Sequence, residues 1–573
     1  REAGAVSAIG HSWDGGVAPP FDAWRQIVAT FASQAGVDPA LFPAPLGNGP
    51  RPDASAQLIQ EVKAAFDTFA RSTPLVIALD DLHVADPDAL ELLEYLTRDL
   101  RRLPILVAAA WRTDYLGPSN SLIDILPRLR HDRRVELIQL GPLAYDDIVA
   151  LTEWRAGPPA EELARYLLNR SDGNPLFVTE LLRHLSAREL LHPDTNGMLR
   201  APSLDAGVPE LLRQIVDQRV LLLGAEVESL IEIGAATGVE WELAVVEAVL
   251  GWPEERLLAA LERAVSSQII VLARESPETY RFTHALIREA LLDRLVVRRR
   301  RQLHTRIAEA LERLAETDAA IDARAPALAY HFRSSEAWDR AVEFEIRAGD
   351  VARSAFAHRS ALAHYEQALD AAARDVHVET ATQALIHERL GQMNTILRRQ
   401  QPAQDAFTAM RDAAQTAGDP ALEGRALFWL SFLSTRRYDS AVALSLAEQA
   451  SRVARESGDD HLYALAHFQL GHIHKADGRY RASQRELELA LRYARQLNAR
   501  DVLSWTLRNL SHLATIDGRY DDAERDAAEA LTLARAIRDG TGIGSASWAL
   551  GMALGEQGKY EAALDIFERG IAY

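Results

Sequence analysis

The stretch LGHIHKADGRYRASQRELELAL, residues 470–491, decides how the last 200 residues are read, because its order of residue types returns every 40 positions. Leu390, Leu430, Leu470, Leu510 and Leu550 lie 40 apart, and each is followed by a small residue: Gly391, Ser431, Gly471, Ser511 and Gly551. A second marker, Arg or Lys followed by Tyr, falls at Tyr438, Tyr480, Tyr520 and Tyr560, the last three preceded by Gly478, Gly518 and Gly558. Self-similarity at a fixed period is the signature of stacked repeats. The small residue predicts close packing within a first helix, and the Gly before Arg-Tyr or Lys-Tyr predicts a helix end in the left-handed conformation. A second helix follows, with Ala-Leu pairs at Ala490 and Leu491 and at Ala530 and Leu531. A related pattern over His358 to Ala373, with Tyr365, Ala368 and Leu369, places the start of the array near residue 325. Units of helix, turn, helix stack into a right-handed solenoid with a concave binding face.

The order Leu-Gly, then Gly-x-Tyr, then Ala-Leu resembles a tetratricopeptide repeat lengthened to 40 residues. HEAT and armadillo repeats share the length but not the small-residue pattern.

The front of the chain has another rhythm. Short apolar runs alternate with helical patterns over Ala5–Ile9, Phe21–Phe31, Ala54–Arg71, Leu75–Leu79, Asp88–Arg101 and Ile105–Ala110, as in a parallel α/β sheet. Leu75 to Leu79 is continuously apolar and ends in Asp80 and Asp81, which predicts a strand buried on both faces with its acidic end at a ligand crevice. Ile105–Ala110 reads as a second buried strand. From Tyr145 onward helical periodicity takes over. Between Pro209 and Leu295 short helices surround the β-rich pieces Gln268–Leu272 and Tyr280–Phe282, which suits a small winged-helix-like module or a plain helical linker bundle.

Three segments carry chemistry. A carboxylate at a strand end, such as Asp80, can hold magnesium through its water shell, since that ion prefers oxygen ligands and dehydrates reluctantly. The adjacent Asp81 can orient or deprotonate an attacking water. The bland reading of the pair is a turn that caps the following helix. Arg112, after Ile105–Ala110 and Trp111, offers planar, permanently charged donors for phosphate oxygens, or is simply a solvated Arg at a strand end. Gly173, Asn174 and Pro175 form a loop that is also a helix-start signal, with Pro in the first turn.

Asp80–Asp86, Arg112 and the Gly173–Pro175 loop, in that order, resemble the Walker B, sensor-arginine and Gly-Asn-Pro segments of the signal-transduction (STAND, AAA-type) ATPases. Phe282–Ala290 resembles a segment frequent before the repeats of the same regulators. With the repeats, the resemblance is to MalT-like and LuxR-type large ATP-binding transcriptional regulators. It implies an α/β P-loop-type NTPase core over residues 1–140, a helical lid over 141–205, a winged-helix-like domain over 206–300 and a tetratricopeptide-like array over 301–573. It implies ATP/ADP and magnesium as cofactors, Asp81 and Arg112 as catalytic residues, Asp80 as the magnesium residue, and Gly173, Asn174 and Pro175 as nucleotide-contacting ones. It also implies a peptide, protein or small-molecule inducer on the repeats, and an ATP-dependent oligomer.

No segment matches Gly-x-x-x-x-Gly-Lys-Ser/Thr; the Gly558-Lys559 pair is a repeat turn followed by Tyr560. Ala5–Ile9 with Trp13, Asp14, Gly15, Gly16, Ala18, Pro19 and Pro20 resembles the strand and loop that come after the phosphate loop in this family. The loop is therefore expected upstream of Arg1, and both chain ends read as cut. The chain as given is expected to bind ATP poorly.

Composition narrows the partners. The 573 residues contain no cysteine, which excludes disulfides and thiolate metal sites, and the histidines lack the spacing of a helical zinc site. A hydrophobic fraction of 48% with 25% charged residues and no apolar run near 18 predicts a cytoplasmic protein that spans no membrane. A net charge of −19, from 82 acidic against 63 basic residues, argues against nucleic-acid binding by the chain itself, so DNA contact falls to a domain outside it. The basic run Arg298–Arg301 is either a patch that attracts nucleic acid or, the favoured reading, a solvated helix face with Val296, Val297 and Leu303 buried. The same cassette could instead regulate a fused adenylate cyclase or kinase, or serve as a repeat scaffold that never hydrolyses ATP.

Overall fold

The computed structural model describes the chain apart from residues 1–4, 13–18, 36–37, 44–45, 47–54, 72, 100–102, 114–119, 131–134, 172, 188–190, 195–196, 201–219, 221–222, 274–277, 284, 376, 438, 538 and 572–573. Two compact units result: residues 1–129 together with 316–573, and residues 130–315.

The first unit opens with a parallel sheet in the order β1 (Val6–His11), β2 (Leu75–Asp80) and β3 (Ile105–Ala109). Parallel neighbours need long crossovers. These are α1 (Asp22–Ala35) and α2 (Ser55–Ala70) between β1 and β2, and α3 (Pro87–Asp99) between β2 and β3. Trp24, Ile27, Phe31, Val62 and Phe66 fill the layer between helices and sheet, with Trp24 edge-on to Phe66 at 6.2 Å and its indole N–H donating to the Ala89 carbonyl at 3.1 Å. Gly10 allows α1 to cross β1 this closely, since a Cβ there would stand 2.2 Å from the Ala23 carbonyl oxygen.

In β2, Leu75, Ile77 and Leu79 are buried and Val76 and Ala78 half-buried, close to the expected two-sided burial. The expectation of burial fails for β3. Leu106 is 62% exposed, and among the described elements none covers the face that it shares with Ala108.

The second unit holds α4 (Tyr145–Arg155), α5 (Glu161–Ser171) and α6 (Pro175–Ala187), packed through Ile148, Leu163, Leu167, Val178, Leu181 and Leu185. Further on, Glu240–Glu242, Thr279–Phe282 and Ile270–Leu272 form a small antiparallel sheet, with Thr279–Phe282 in the middle. Both expected β-rich pieces are thus strands, and they pair with each other. Residues 209–219 of that expected module lie outside the described residues. In the helix Val297–Arg313, Arg298–Arg301 are exposed and Leu303 is buried, as expected. Val296 and Val297 are not: they are 70% and 66% exposed. As cap and first residue of the helix, they have no preceding turn to shelter them.

The rest of the first unit is helical: Asp318–Ser335, then six helix pairs beginning at Trp338. Five of the six obey the 40-residue period, and in each the second helix leans on the first where its side chain is missing or small. A Cβ at Gly391 would come within 2.4 Å of the Phe407 ring, one at Gly471 within 2.6 Å of Leu487, and one at Gly551 within 2.5 Å of Phe567. Gly349 plays the same part against Tyr365 in the pair Trp338–Ser354 and His358–Arg374. Where the period supplies Ser, the hydroxyl bridges the helices: Ser431 Oγ donates to the Ala443 carbonyl and Ser511 Oγ to the Ala523 carbonyl, both at 2.7 Å. In the Gly471 pair the hydroxyl has changed sides, and Ser483 Oγ donates to the Gly471 carbonyl at 2.7 Å. Gly478, Gly518 and Gly558 end their helices at φ 73°, 74° and 77°, the left-handed turn that the sequence predicts. Tyr438 lies outside the described residues.

Gly391→Val is expected to cost about 1–3 kcal/mol through overpacking against Phe407, and Ser511→Ala about 1 kcal/mol through its lost hydrogen bond. Urea titrations followed by circular dichroism check both; a Gly391→Val chain as stable as the natural one contradicts the close approach.

Candidate functional site

The C-terminal end of the parallel sheet collects the predicted acidic and basic groups. Register places His11 of β1 opposite Asp80 of β2, and His11 Nδ1 lies 3.6 Å from Asp80 Oδ2. The His11 backbone is clamped from α1: Gln26 accepts from its N–H at 2.8 Å and donates to its carbonyl at 3.3 Å. Ladder bonds continue beyond the strands, with Ser12 N–H donating to the Asp80 carbonyl and Leu82 N–H to the Ala110 carbonyl. The latter holds Trp111 and Arg112 beside the acidic turn, and the Arg112 N–H reaches His83 Nδ1 at 3.4 Å.

Asp81 sits in the left-handed region, φ 54° and ψ 39°, at the start of the short 3-10 turn Leu82–Val84. Its side chain makes no capping hydrogen bond to that turn, so the helix-capping reading of the Asp pair is not what the geometry shows. Its Oδ1 faces the buried His83 instead, 3.8 Å from Nδ1. A non-glycine residue held in this conformation marks a place where local geometry is imposed by its surroundings.

The two carboxylates are pushed apart in acidity. Interaction with His11 holds Asp80 below the usual carboxylate range, helped by the Asp81 N–H that its Oδ1 accepts at 3.0 Å. Burial first, and then the neighbouring Asp80 charge, raise Asp81, while Arg112 is near enough for its charge to oppose that rise. Asp80 therefore stands as the ionised member and Asp81 as the one with greater proton affinity, the pattern by which neighbouring acids divide roles.

The helix His358–Arg374 stands beside this turn. A cavity of about 200 Å³ lies between His11, Ser12, Pro20, Asp86, Ser360 and His364, among others. Asp86 closes the turn by accepting from the Ala89 N–H at 2.8 Å and the Phe21 N–H at 3.1 Å. Asp88, buried, reaches the helix His358–Arg374: its Oδ2 accepts from both the Ser360 N–H and hydroxyl at 2.8 Å, and its Oδ1 from the Arg359 N–H at 3.3 Å. Arg359 in turn pairs with Glu91 at 3.2 Å. Burial is the main cause that lifts Asp86 to about 7 and Asp88 to about 6.

Asp80, Asp81 and Arg112 are thus brought together. Gly173, Asn174 and Pro175 belong to the second unit, where they start α6: Asn174 Oδ1 accepts from the Leu176 N–H at 3.0 Å, and Pro175 is the first helical residue. Gly173 is required there. Its φ is 75°, and a Cβ would stand 2.6 Å from the Leu143 carbonyl oxygen. Sequence reasoning missed His11, His83 and the Asp88–Ser360 contact. The first is visible only as the polar end of the run Val6–Gly10, and the last joins residues 272 positions apart. The segment Trp13–Ala18 lies outside the described residues, as does His284 of the segment Phe282–Ala290. Among the described residues no group of three or more His, Asp or Glu side chains could hold a metal ion directly, and no helix is long and apolar enough to cross a membrane.

Residues 502–573 match the family model of the tetratricopeptide repeat. The C-terminal array is a tetratricopeptide-like solenoid. An uncharacterized protein of Rhizobium meliloti (strain 1021) is 26% identical over 323 residues, which are 55% of this chain and 30% of that protein, so the match spans about a third of the relative's length. Among solved structures the chain is similar to a Signal Transduction ATPase with Numerous Domains carrying a tetratricopeptide repeat sensor, from Pyrococcus horikoshii. Identity is 14%, coverage 99% of this chain and 87% of that one, and the TM-score 0.40. It is also similar to aspartyl phosphate phosphatase F of Bacillus subtilis, at 14% identity, 75% and 95% coverage and a TM-score of 0.36. NprR with its cognate peptide NprX follows at 15%, 47% and 72%, and 0.30.

The raised pKa of Asp86 has a definite sign. Stability from its protonated form is present below its unfolded value of about 3.9 and is lost as pH rises through about 7. Asp86→Asn, which cannot ionise, is therefore expected to gain Tm relative to the natural chain between pH 5 and pH 8, whatever its offset at pH 5. Calorimetry at the two pH values decides; a constant difference contradicts the assignment.

Proposed function

We propose that this chain is the hydrolysis and sensor part of an ATP-dependent signal-transduction regulator. The observation that carries the reading is the meeting of Asp80, Asp81 and Arg112 at one sheet end, with Asp88 of the helix that follows bonded to Ser360 of the array. ATP would supply the reactive phosphoanhydride, and magnesium its usual charge neutralisation. The residues present fit a hydrated magnesium: Asp80 is held ionised and half-exposed, and such an ion keeps several waters and needs only one or two protein carboxylates. Asp81, with its greater proton affinity, orients the attacking water and accepts its proton. Arg112 presents fixed positive charge where phosphate charge develops.

The repeats form the sensor. A ligand on their face alters the acidic end only if it binds two arrangements of the array with different affinity, and the Asp88–Ser360 contact is the physical link through which those arrangements would differ. In the fuller form of this reading the output is transcriptional, of LuxR type, the small antiparallel module is winged-helix-like, and DNA is met by a domain outside this chain.

A second reading, a repeat scaffold on a degenerate nucleotide fold, draws support from the lack of a Gly-x-x-x-x-Gly-Lys-Ser/Thr segment in the sequence. Backbone amides and the lysine that cradle phosphates come from that loop. The purified chain is accordingly expected to bind ATP no better than millimolar; micromolar binding by calorimetry contradicts this. In the full-length protein, Asp81→Asn is expected to abolish hydrolysis while nucleotide stays bound, measured as phosphate release and retained radiolabel. Unchanged turnover removes Asp81 from the mechanism, and a natural full-length protein that releases no phosphate favours the scaffold.

A further inference from the structure

The first helices of successive pairs pack side by side, so residues 40 apart occupy equivalent places along one face of the array. One such row reads Phe428, Phe468, Arg508, Trp548, and the row beside it Phe432, His472, His512, Met552. A third reads Thr435, Lys475, Thr515. Aromatic residues are thus replaced by basic ones in the middle of the face and return, with Met, at its end. Lys475 is one of only three lysines in the chain.

The basic residues meet across the helix boundaries. Lys475 Nζ is 3.4 Å from His512 Nδ1, His472 Nδ1 is 3.3 Å from Asn509 Oδ1, and the His512 ring stands edge-on to Trp548 at 5.6 Å. Arg508 is close enough for its charge to be felt at His472, Lys475 and His512. Among the described residues neither Lys475 nor Arg508 forms an ion pair, and Arg508 Nε is buried without a hydrogen-bond partner. Lys475 is pushed down to about 8 by burial and then by Arg508; Arg508 is lowered by burial, opposed by Asp539. Asp539 is already committed, accepting from the Trp505 indole at 3.0 Å and the Gly542 N–H at 2.9 Å. A half-buried lysine depressed by a neighbouring guanidinium lacks the counter-charge that such groups ordinarily keep. Two cations against one carboxylate leave a single net positive charge.

Beside them a cavity of about 260 Å³ is lined by His512, Thr515, Ile516, Trp548, Met552 and the exposed Glu556. Pockets for whole drug-sized ligands run about 300–1,000 Å³, so this one suits a single side chain. Trp548, 49% exposed, offers its ring to it.

We propose that this stretch of the first-helix face, from His472 to Met552, binds a molecule carrying one carboxylate next to an apolar group. The carboxylate lies against Arg508 and Lys475, and the apolar group against Trp548, Ile516 and Met552. The single charge it brings matches the single charge left over, and a guanidinium-to-carboxylate contact is among the stronger hydrogen-bond types. The proposal rests on the reading of the array as a sensor, and names its site. A peptide C-terminus and a free organic acid share this chemistry.

The test uses the purified chain, titrated with 4-phenylbutanoate and with acetylated pentapeptide pools ending in leucine or phenylalanine as free acids, each against its carboxamide. Tm and tryptophan fluorescence are read. Acids are expected to bind at least about tenfold tighter than amides. That gap should close in Arg508→Gln and Lys475→Met, while Trp548→Ala weakens acid and amide alike. Where Arg508→Gln loses its fold, the half-exposed Lys475→Met carries the test. Response to the peptide acids alone assigns the ligand as a peptide terminus, and response to phenylbutanoate alone as a free acid. Equal response to acids and amides, no response to any acid, or a gap that survives Lys475→Met overturns the site. The sensor reading fails separately, if an acid binds here and nucleotide turnover of the full-length protein does not change.

Discussion

A side chain pressed onto helix backbone where no Cβ could stand fixes the spacing of the helix pairs on which the array is built. Phe407 against Gly391, Leu487 against Gly471 and Phe567 against Gly551 each bring two helices nearer than ordinary side-chain packing allows. Ser431 and Ser511 achieve the same spacing with a hydroxyl that bridges to the opposing carbonyl. Because the contact recurs at one place in each unit, the remaining faces recur too. First helices then align side by side, and their outward residues form rows.

At the other end of the first unit the governing constraint is parallel register. It sets His11 opposite Asp80, and the ladder that outlasts β2 and β3 delivers Arg112 to the same turn. Neither Asp80 nor Asp81 would differ much in acidity if both stood in water. A histidine beside one and burial around the other separate them. A few residues on, Asp86 ties the following helix to its own turn and Asp88 accepts from Ser360, so the segment after the acidic turn is hydrogen-bonded to the array.

Much of this was legible in the sequence where the signal is local and periodic. The Leu-small pairs and the Gly478, Gly518 and Gly558 turns state the helix pairs outright, because a missing side chain and a positive φ leave a residue-type imprint. Strand β2 was readable as an apolar run with an acidic end. What failed depended on neighbours: the burial of Leu106 is decided by what lies against β3, and that of Val296 and Val297 by their place at a helix start. The Asp88–Ser360 contact was beyond reach, since an aspartate in a first helical turn reads as an ordinary capping residue until its distant partner is placed. The basic rows at residues 472–512 needed both the period and the packing, for only then do Lys475 and His512, 37 positions apart, become neighbours.

Stacked units touch mainly their neighbours, and the turn and tilt between one unit and the next are repeated along the stack. A stack of this kind behaves as a lever. A slight change of tilt between the helices that carry Lys475, Arg508 and Trp548 adds to every tilt between them and Ser360, so that displacement grows with distance from the pivot. The hydroxyl that holds Asp88 stands at the far end of that arm, where a small angle becomes a long travel.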